Sequence, residues 1–182
     1  MQTIVYGDLE VPLLKRDWKL TPQRLPYFRT DLLTPGQRWQ DAQISHTLWE
    51  SYVYLPDGPI PVGAAIAREL KAEGATTAIW TDCFRRANCV IMSPDLVCLP
   101  KNGNLWDILD KLHLANRNKW AGLPDAIALF PDGRVAMREA KVFKKDRVSV
   151  TQHAFANVAR QVLGDKLDLS VVEWGYEVAQ QA

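Results

Sequence analysis

Cysteine and histidine are scarce in this chain of 182 residues, with three of each. The thiols of Cys83, Cys89 and Cys98 make an odd number without a C-x-x-C pair, which argues against a disulfide framework. His46, His113 and His153 stand apart, at spacings that support no zinc site. Buried free thiols are the expected state of the cysteines. No apolar run approaches the roughly 18 residues of a membrane span. Residues 1–8 lack the basic and apolar regions of a secretory signal, so the expected location is cytoplasmic, with no membrane partner. Internal repeats and low-complexity tracts are missing too. A hydrophobic content of 47% and a charged content of 24% are ordinary for a soluble globular protein. The length suits one domain with a sizeable core, or a core with a modest extension.

An excess of either charge is also lacking overall, at net +1, but the charge is unevenly spread. Residues 111–166 hold eleven Lys/Arg against five Asp/Glu, a net +6, which leaves −5 for the rest. A basic segment of this kind is the electrostatic footprint of a phosphate-backbone binder; the alternative is a solvated charged face.

Residues 1–40 read as irregular, because Pro12, Pro22, Pro26 and Pro35 break any helix. Trp18, Tyr27, Phe28 and Trp39 stud this arm, so it is expected to pack on the core or on a second subunit of a homo-oligomer. Residues 45–55 suit either a helix capped by Ser45 or a strand at Tyr52-Val53-Tyr54. A helix is expected over 61–73, stopped by Gly74, then a strand at 76–81. Residues 88–99 suggest a hairpin around Ser93-Pro94-Asp95, and 105–114 a short helix. A helix opening at Ser149 should run to about Leu163 and stop at Gly164, before a last strand at 169–174. The boundaries expected are an N-terminal extension, 1–60, and a main domain, 61–182, with an insertion at about 82–118.

The most informative stretch is Gly122-Leu123-Pro124-Asp125, followed fourteen residues after the aspartate by Glu139-Ala140-Lys141. Two strand-length apolar runs flank Pro131-Asp132-Gly133 between them, the pattern of a β-hairpin. If Phe130 pairs with Arg134 across a three-residue loop, Asp125 faces Glu139. Period-two alternation then puts Glu139 and Lys141 on one face. Like charges so placed destabilise a sheet. A hard divalent cation such as Mg²⁺ offsets that repulsion with carboxylate and carbonyl ligands.

This pattern resembles the PD-(D/E)xK nuclease superfamily, and within it the VRR-NUC branch, over roughly residues 119–174. The resemblance implies an α/β restriction-endonuclease-like αβββαβ core, with a central mixed sheet flanked by helices. Here the irregular N-terminal extension would be added to that core. About forty residues separate Thr81 from the Pro-Asp strand, where the family has a short link. Asp125 and Glu139 would bind Mg²⁺, with Mn²⁺ as substitute, and the carbonyl of Ala140 would be a third ligand. Lys141 would orient or help deprotonate the attacking water and steady the phosphate. Gln152 matches a family glutamine near the water or the lysine; Ser149-x-x-Gln152 is equally a capping box, and both readings stand open.

The superfamily often presents a further glutamate from its first helix. At about 100° per residue, Glu69 falls inside the apolar arc of Val62, Ile66 and Leu70, so it is the expected extra metal ligand. Its alternative is a flanking glutamate whose stem packs while its head reaches water. Lys144, Lys145 and Arg147 after the lysine strand, with Lys119 at the mouth of the site, would contact nucleic-acid phosphates or form a solvated charge run. The expected function is metal-dependent hydrolysis of DNA phosphodiester bonds, with RNA left open as a substrate. The alternatives are a non-catalytic nucleic-acid-binding module and an assembly protein that works through its arm.

Overall fold

The computed structural model describes residues 2–21, 25–50, 52–84 and 88–179. Pro22 and the side chains of Pro26, Tyr27, Ser45, His46 and Glu50 lie outside what is described. The chain begins with strands β1 (Thr3–Tyr6), β2 (Leu9–Lys15), β3 (Lys19–Leu20), β4 (Leu25–Arg29), β5 (Gln43–Glu50), β6 (Val53–Leu55) and β7 (Gly58–Ile60). Helix α1 (Val62–Ala72) follows, then β8 (Thr77–Phe84), β9 (Asn88–Met92) and helix α2 (Asn104–Ala115). The last elements are β10 (Ala126–Leu129), β11 (Val135–Val142), helix α3 (Val150–Leu163) and β12 (Leu167–Trp174). Among the described residues no helix is long and apolar enough to cross a membrane.

Seven strands form one mixed sheet in the order β1-β2-β12-β11-β10-β8-β9. β11, β12 and β2 run parallel, and the other neighbours antiparallel. Parallel neighbours need a crossover, and α3 supplies it between β11 and β12. Alternation along the strands divides the apolar residues between two cores. Beneath α1 lie Ala78, Ala126, Ala128, Ala136 and Ala140, small enough for the helix to sit close. Ile79, Ile127, Met137 and Val171 point to the opposite face, where Leu109 of α2 and Phe155 of α3 cover them. Helix α1 ends as expected, with Gly74 at φ +100° and Ala75 N–H donating to the Leu70 carbonyl.

The first fifteen residues depart from the irregular extension expected of them. β1 and β2 form a hairpin, and β2 joins the central sheet alongside β12. Pro12 is tolerated there because β12 pairs with residues 13–15, so no ladder bond is demanded of the missing N–H. Farther on, Trp39 meets Phe28 at a tilt and Tyr52 edge-on, with ring centroids 4.4 and 5.6 Å apart, and belongs to the α1-side core. Over 45–50 and 53–55 the strand alternative holds, not the helix. The turn at Ser93-Pro94-Asp95 is present, closed by Leu96 N–H to the Ser93 carbonyl at 3.0 Å, but its second arm is a single bridge, Met92 to Cys98. The main ladder of β9 is instead with β8, where Cys83 faces Cys89 and its thiol donates to the Cys89 sulfur at 2.7 Å. All three cysteines are free; Cys89 and Cys98 are buried and Cys83 is partly so.

Candidate active site

The hairpin of β10 and β11 has the register that its turn length dictates. Phe130 N–H donates to the Arg134 carbonyl at 2.9 Å, and Gly133 N–H to the Phe130 carbonyl at 3.0 Å. Ala126 pairs with Arg138 and Leu129 with Val135, so Asp125, one step before β10, stands opposite Glu139. Asp125 Oδ2 accepts the Ala140 N–H at 2.8 Å. N–H and C=O of one strand residue point the same way, so the Ala140 carbonyl also faces Asp125, past the end of the β10 ladder.

The loop before Asp125 is held from two sides. Thr81 N–H donates to the Asp125 carbonyl at 3.0 Å, and the Thr81 hydroxyl donates to the Pro124 carbonyl. On the other side Gly122, at φ +86°, lies so close to α3 that a Cβ would collide with the Thr151 carbonyl oxygen. Glycine is therefore required where this loop meets the first turn of α3.

Glu139 is 2% exposed, and Lys141 is buried beside it. Glu139 Oε1 receives Lys141 Nζ at 3.0 Å and Gln152 Nε2 at 2.5 Å. Gln152 also closes the capping box: its Oε1 accepts Ser149 N–H at 2.8 Å, and its own N–H donates to Ser149 Oγ at 3.3 Å. The capping-box reading of Gln152 holds, and its amide also reaches the site, at Glu139 instead of at a water or the lysine. The cap engages the amide oxygen, which leaves the amide nitrogen aimed at Glu139. Among the described residues Glu139 Oε2 is buried with no hydrogen-bond partner, and a carboxylate oxygen left so is costly.

Burial pushes the Asp125 carboxyl above its ordinary range, against the pull of Ala140 N–H and Lys141. Glu139 is pushed well above its range by burial first and by the Asp125 charge second. Burial draws Lys141 down, but Glu139, Asp146 and Asp125 outweigh it and leave its ammonium harder to deprotonate than usual. A site whose carboxylates resist ionisation and share a lysine is short of positive charge.

These groups open into a cavity of about 410 Å³, with Asp125, Glu139, Ala140, Lys141 and Gln152 in its wall. Asp146, which sequence reasoning did not single out, lines it too and lies 3.5 Å from Lys141 Nζ. The fifth residue after a site lysine, across a turn, carries no pattern that would have marked it. A second cavity of about 260 Å³ borders Asp125 and Gln152, between Asp82 and Trp120. Lys119 precedes that tryptophan and is exposed, as are Lys144 and Lys145 on the turn after β11 and Arg147 just beyond it.

Glu69 is not where the helical angle placed it. Both its carboxylate oxygens accept from Arg16 Nε at 2.9 Å, and it does not line the cavity. It lies seven residues beyond Val62, roughly 10 Å along the helix. The first turn of α1 does reach the cavity, through Val62 and Gly63, but brings no acid. An acid within an apolar arc needs a partner, and here the partner is the arginine following β2.

Among the described residues no cluster of three or more His, Cys, Asp or Glu side chains is arranged to hold a metal. The oxygens available here are the opposed carboxylates of Asp125 and Glu139, the Asp146 carboxylate in the same wall, and a backbone carbonyl. That donor set fits a hard divalent cation that keeps several waters. The chain matches no family model, no curated protein and no solved structure.

Proposed function

We propose that this chain is a metal-dependent nuclease of the PD-(D/E)xK kind that hydrolyses phosphodiester bonds in DNA. The observation that carries this reading is the buried Glu139 carboxylate opposite Asp125 and beside Lys141. The order α1, β8, β10, β11, α3, β12 supports it, since it follows the αβββαβ core that the resemblance implies. Asp125, Glu139 and the Ala140 carbonyl would hold Mg²⁺, or Mn²⁺ in its place. Such an ion, when bound, supplies a water acidic enough to attack and positive charge for the developing oxyanion.

The protein's own part is orientation and charge. Ala140 N–H fixes Asp125, and Gln152 fixes Glu139 from a capped helix end. Lys141 keeps its proton, so it serves by orienting water and steadying phosphate charge rather than as a base. Lys144, Lys145, Arg147 and Lys119 are exposed, where they would meet backbone phosphates.

One observation favours a second reading, a nucleic-acid-binding module without catalysis: Lys141 already neutralises Glu139 at 3.0 Å. Incubation with supercoiled plasmid separates the two. The nuclease reading expects nicking with Mg²⁺ or Mn²⁺ that Asp125→Ala abolishes. Cleavage that persists in excess EDTA overturns the metal mechanism. A salt-sensitive gel shift without cleavage, in any divalent metal, supports the binding module.

A further inference from the structure

Tyr6 lies at the end of β1, far from the site in sequence, yet it is wholly buried. Its ring meets His153 of α3 edge-on, with centroids 6.1 Å apart at 89°. The turn that follows is clamped to the same helix. Gly7 N–H donates to His153 Nδ1 at 2.8 Å, Asp8 N–H to Asn157 Oδ1 at 2.8 Å, and Asn157 Nδ2 to Asp8 Oδ2 at 2.9 Å. A Cβ at Gly7 would collide with Asn157, so the hairpin sits as close to α3 as a backbone can. α3 is also the helix whose first turn presents Gln152 to Glu139. The hairpin is thus built onto the support of the site.

Among the described residues the phenol oxygen is buried with no hydrogen-bond partner, as is Glu139 Oε2. Burial first, and then the Glu139 and Asp125 carboxylates, make that hydroxyl harder to ionise than an ordinary phenol. A phenol is a donor, and an ionised carboxylate oxygen accepts more than one bond. Hydrogen bonds in an unloaded site are commonly long or poorly aligned and tighten on loading.

We propose that Tyr6 is a positioning residue: its buried hydroxyl faces the Glu139 carboxylate and holds it for a divalent cation, as Gln152 does. The inference rests on the metal-site reading above and extends it to the N-terminal hairpin. Hydrogen bonds to ligating carboxylates orient them, and their loss costs about 10- to 100-fold in metal affinity or activity.

The test is Mn²⁺ titration by calorimetry on the wild type, Asp125→Asn and Tyr6→Phe, with plasmid cleavage measured across Mn²⁺ concentrations. Tyr6→Phe removes one oxygen and keeps the ring against His153; a thermal melt in EDTA that matches the wild type verifies the fold. Mn²⁺ affinity should fall about tenfold in Tyr6→Phe, with most of the lost cleavage recovered at high Mn²⁺. If that variant does not fold as the wild type, Asp8→Ala, which loosens the hairpin but keeps the hydroxyl, becomes the comparison: Mn²⁺ affinity weakened as much as in Tyr6→Phe overturns the proposal. Wild-type Mn²⁺ binding with an unaffected Tyr6→Phe overturns this inference alone. A wild type that binds no Mn²⁺ overturns the metal-site reading and this inference together.

Discussion

Gln152 donates its amide nitrogen to Glu139 Oε1 at 2.5 Å while the same amide's oxygen accepts from Ser149 N–H. One side chain thereby ends a helix and orients a buried carboxylate. The two duties separate by substitution. Gln152→Glu keeps a capping-box acceptor but loses the donor and adds a carboxylate beside Glu139; cleavage should drop at least tenfold. Gln152→Ala loses both and should also unfold about 1 kcal/mol more easily. Denaturant melts beside plasmid assays check this, and a fully active Gln152→Glu refutes the orienting role.

Lys141 is charged and buried but is no metal ligand. Lys141→Ala should lower turnover strongly while Mn²⁺ still binds, because both carboxylates and the Ala140 carbonyl remain. Lys141→Arg should not rescue, since the planar guanidinium cannot occupy the ammonium's place. Cleavage by Lys141→Ala at the wild-type rate would show the ion pair with Glu139 to be structural.

Stability should depend on pH in two opposed ways in the metal-free protein. Asp125 and Glu139 have raised pKa values in the folded state. The stability they contribute is complete below the ordinary carboxylate range and is lost as pH rises through their folded values. Asp168 behaves oppositely. Burial raises it, but the guanidinium of Arg138, at 2.8 and 3.0 Å, and that of Arg134 hold it below its usual value. Its stabilisation is present above the ordinary range and fades as pH falls through the lowered value. Urea midpoints in EDTA should therefore peak at mildly acid pH. Asp125→Asn should flatten the fall on the neutral side and gain up to about 1 kcal/mol there by relieving a like-charge contact. An unchanged pH slope in Asp125→Asn would refute this account of the site.

The basic segment should bind nucleic acid through its backbone. Affinity should fall steeply with salt and vary little with sequence. Lys144→Ala with Lys145→Ala should reduce the salt slope by about one to two. Gel shifts over a salt series measure it, and a flat dependence points to a partner held by other forces.

What the sequence by itself determined is local. The three-residue turn at Pro131-Asp132-Gly133 sets the register that opposes Asp125 and Glu139, because a hairpin's pairing follows from its loop length. Ser149-x-x-Gln152 and Gly164 mark the two ends of α3 through the unsatisfied groups of a helix terminus. Neither depends on where the rest of the chain goes. Glu69 shows the limit: its helical angle was readable, but its partner was not. Arg16 reaches it because β2 lies beside β12, a strand more than 150 residues later. Tyr6 and His153 meet for the same reason, through strand order and the docking of the hairpin on α3. No residue pattern near Tyr6 encodes such contacts. Only the tertiary structure decided them, since packing of distant elements, not turn or helix chemistry, brings those side chains together.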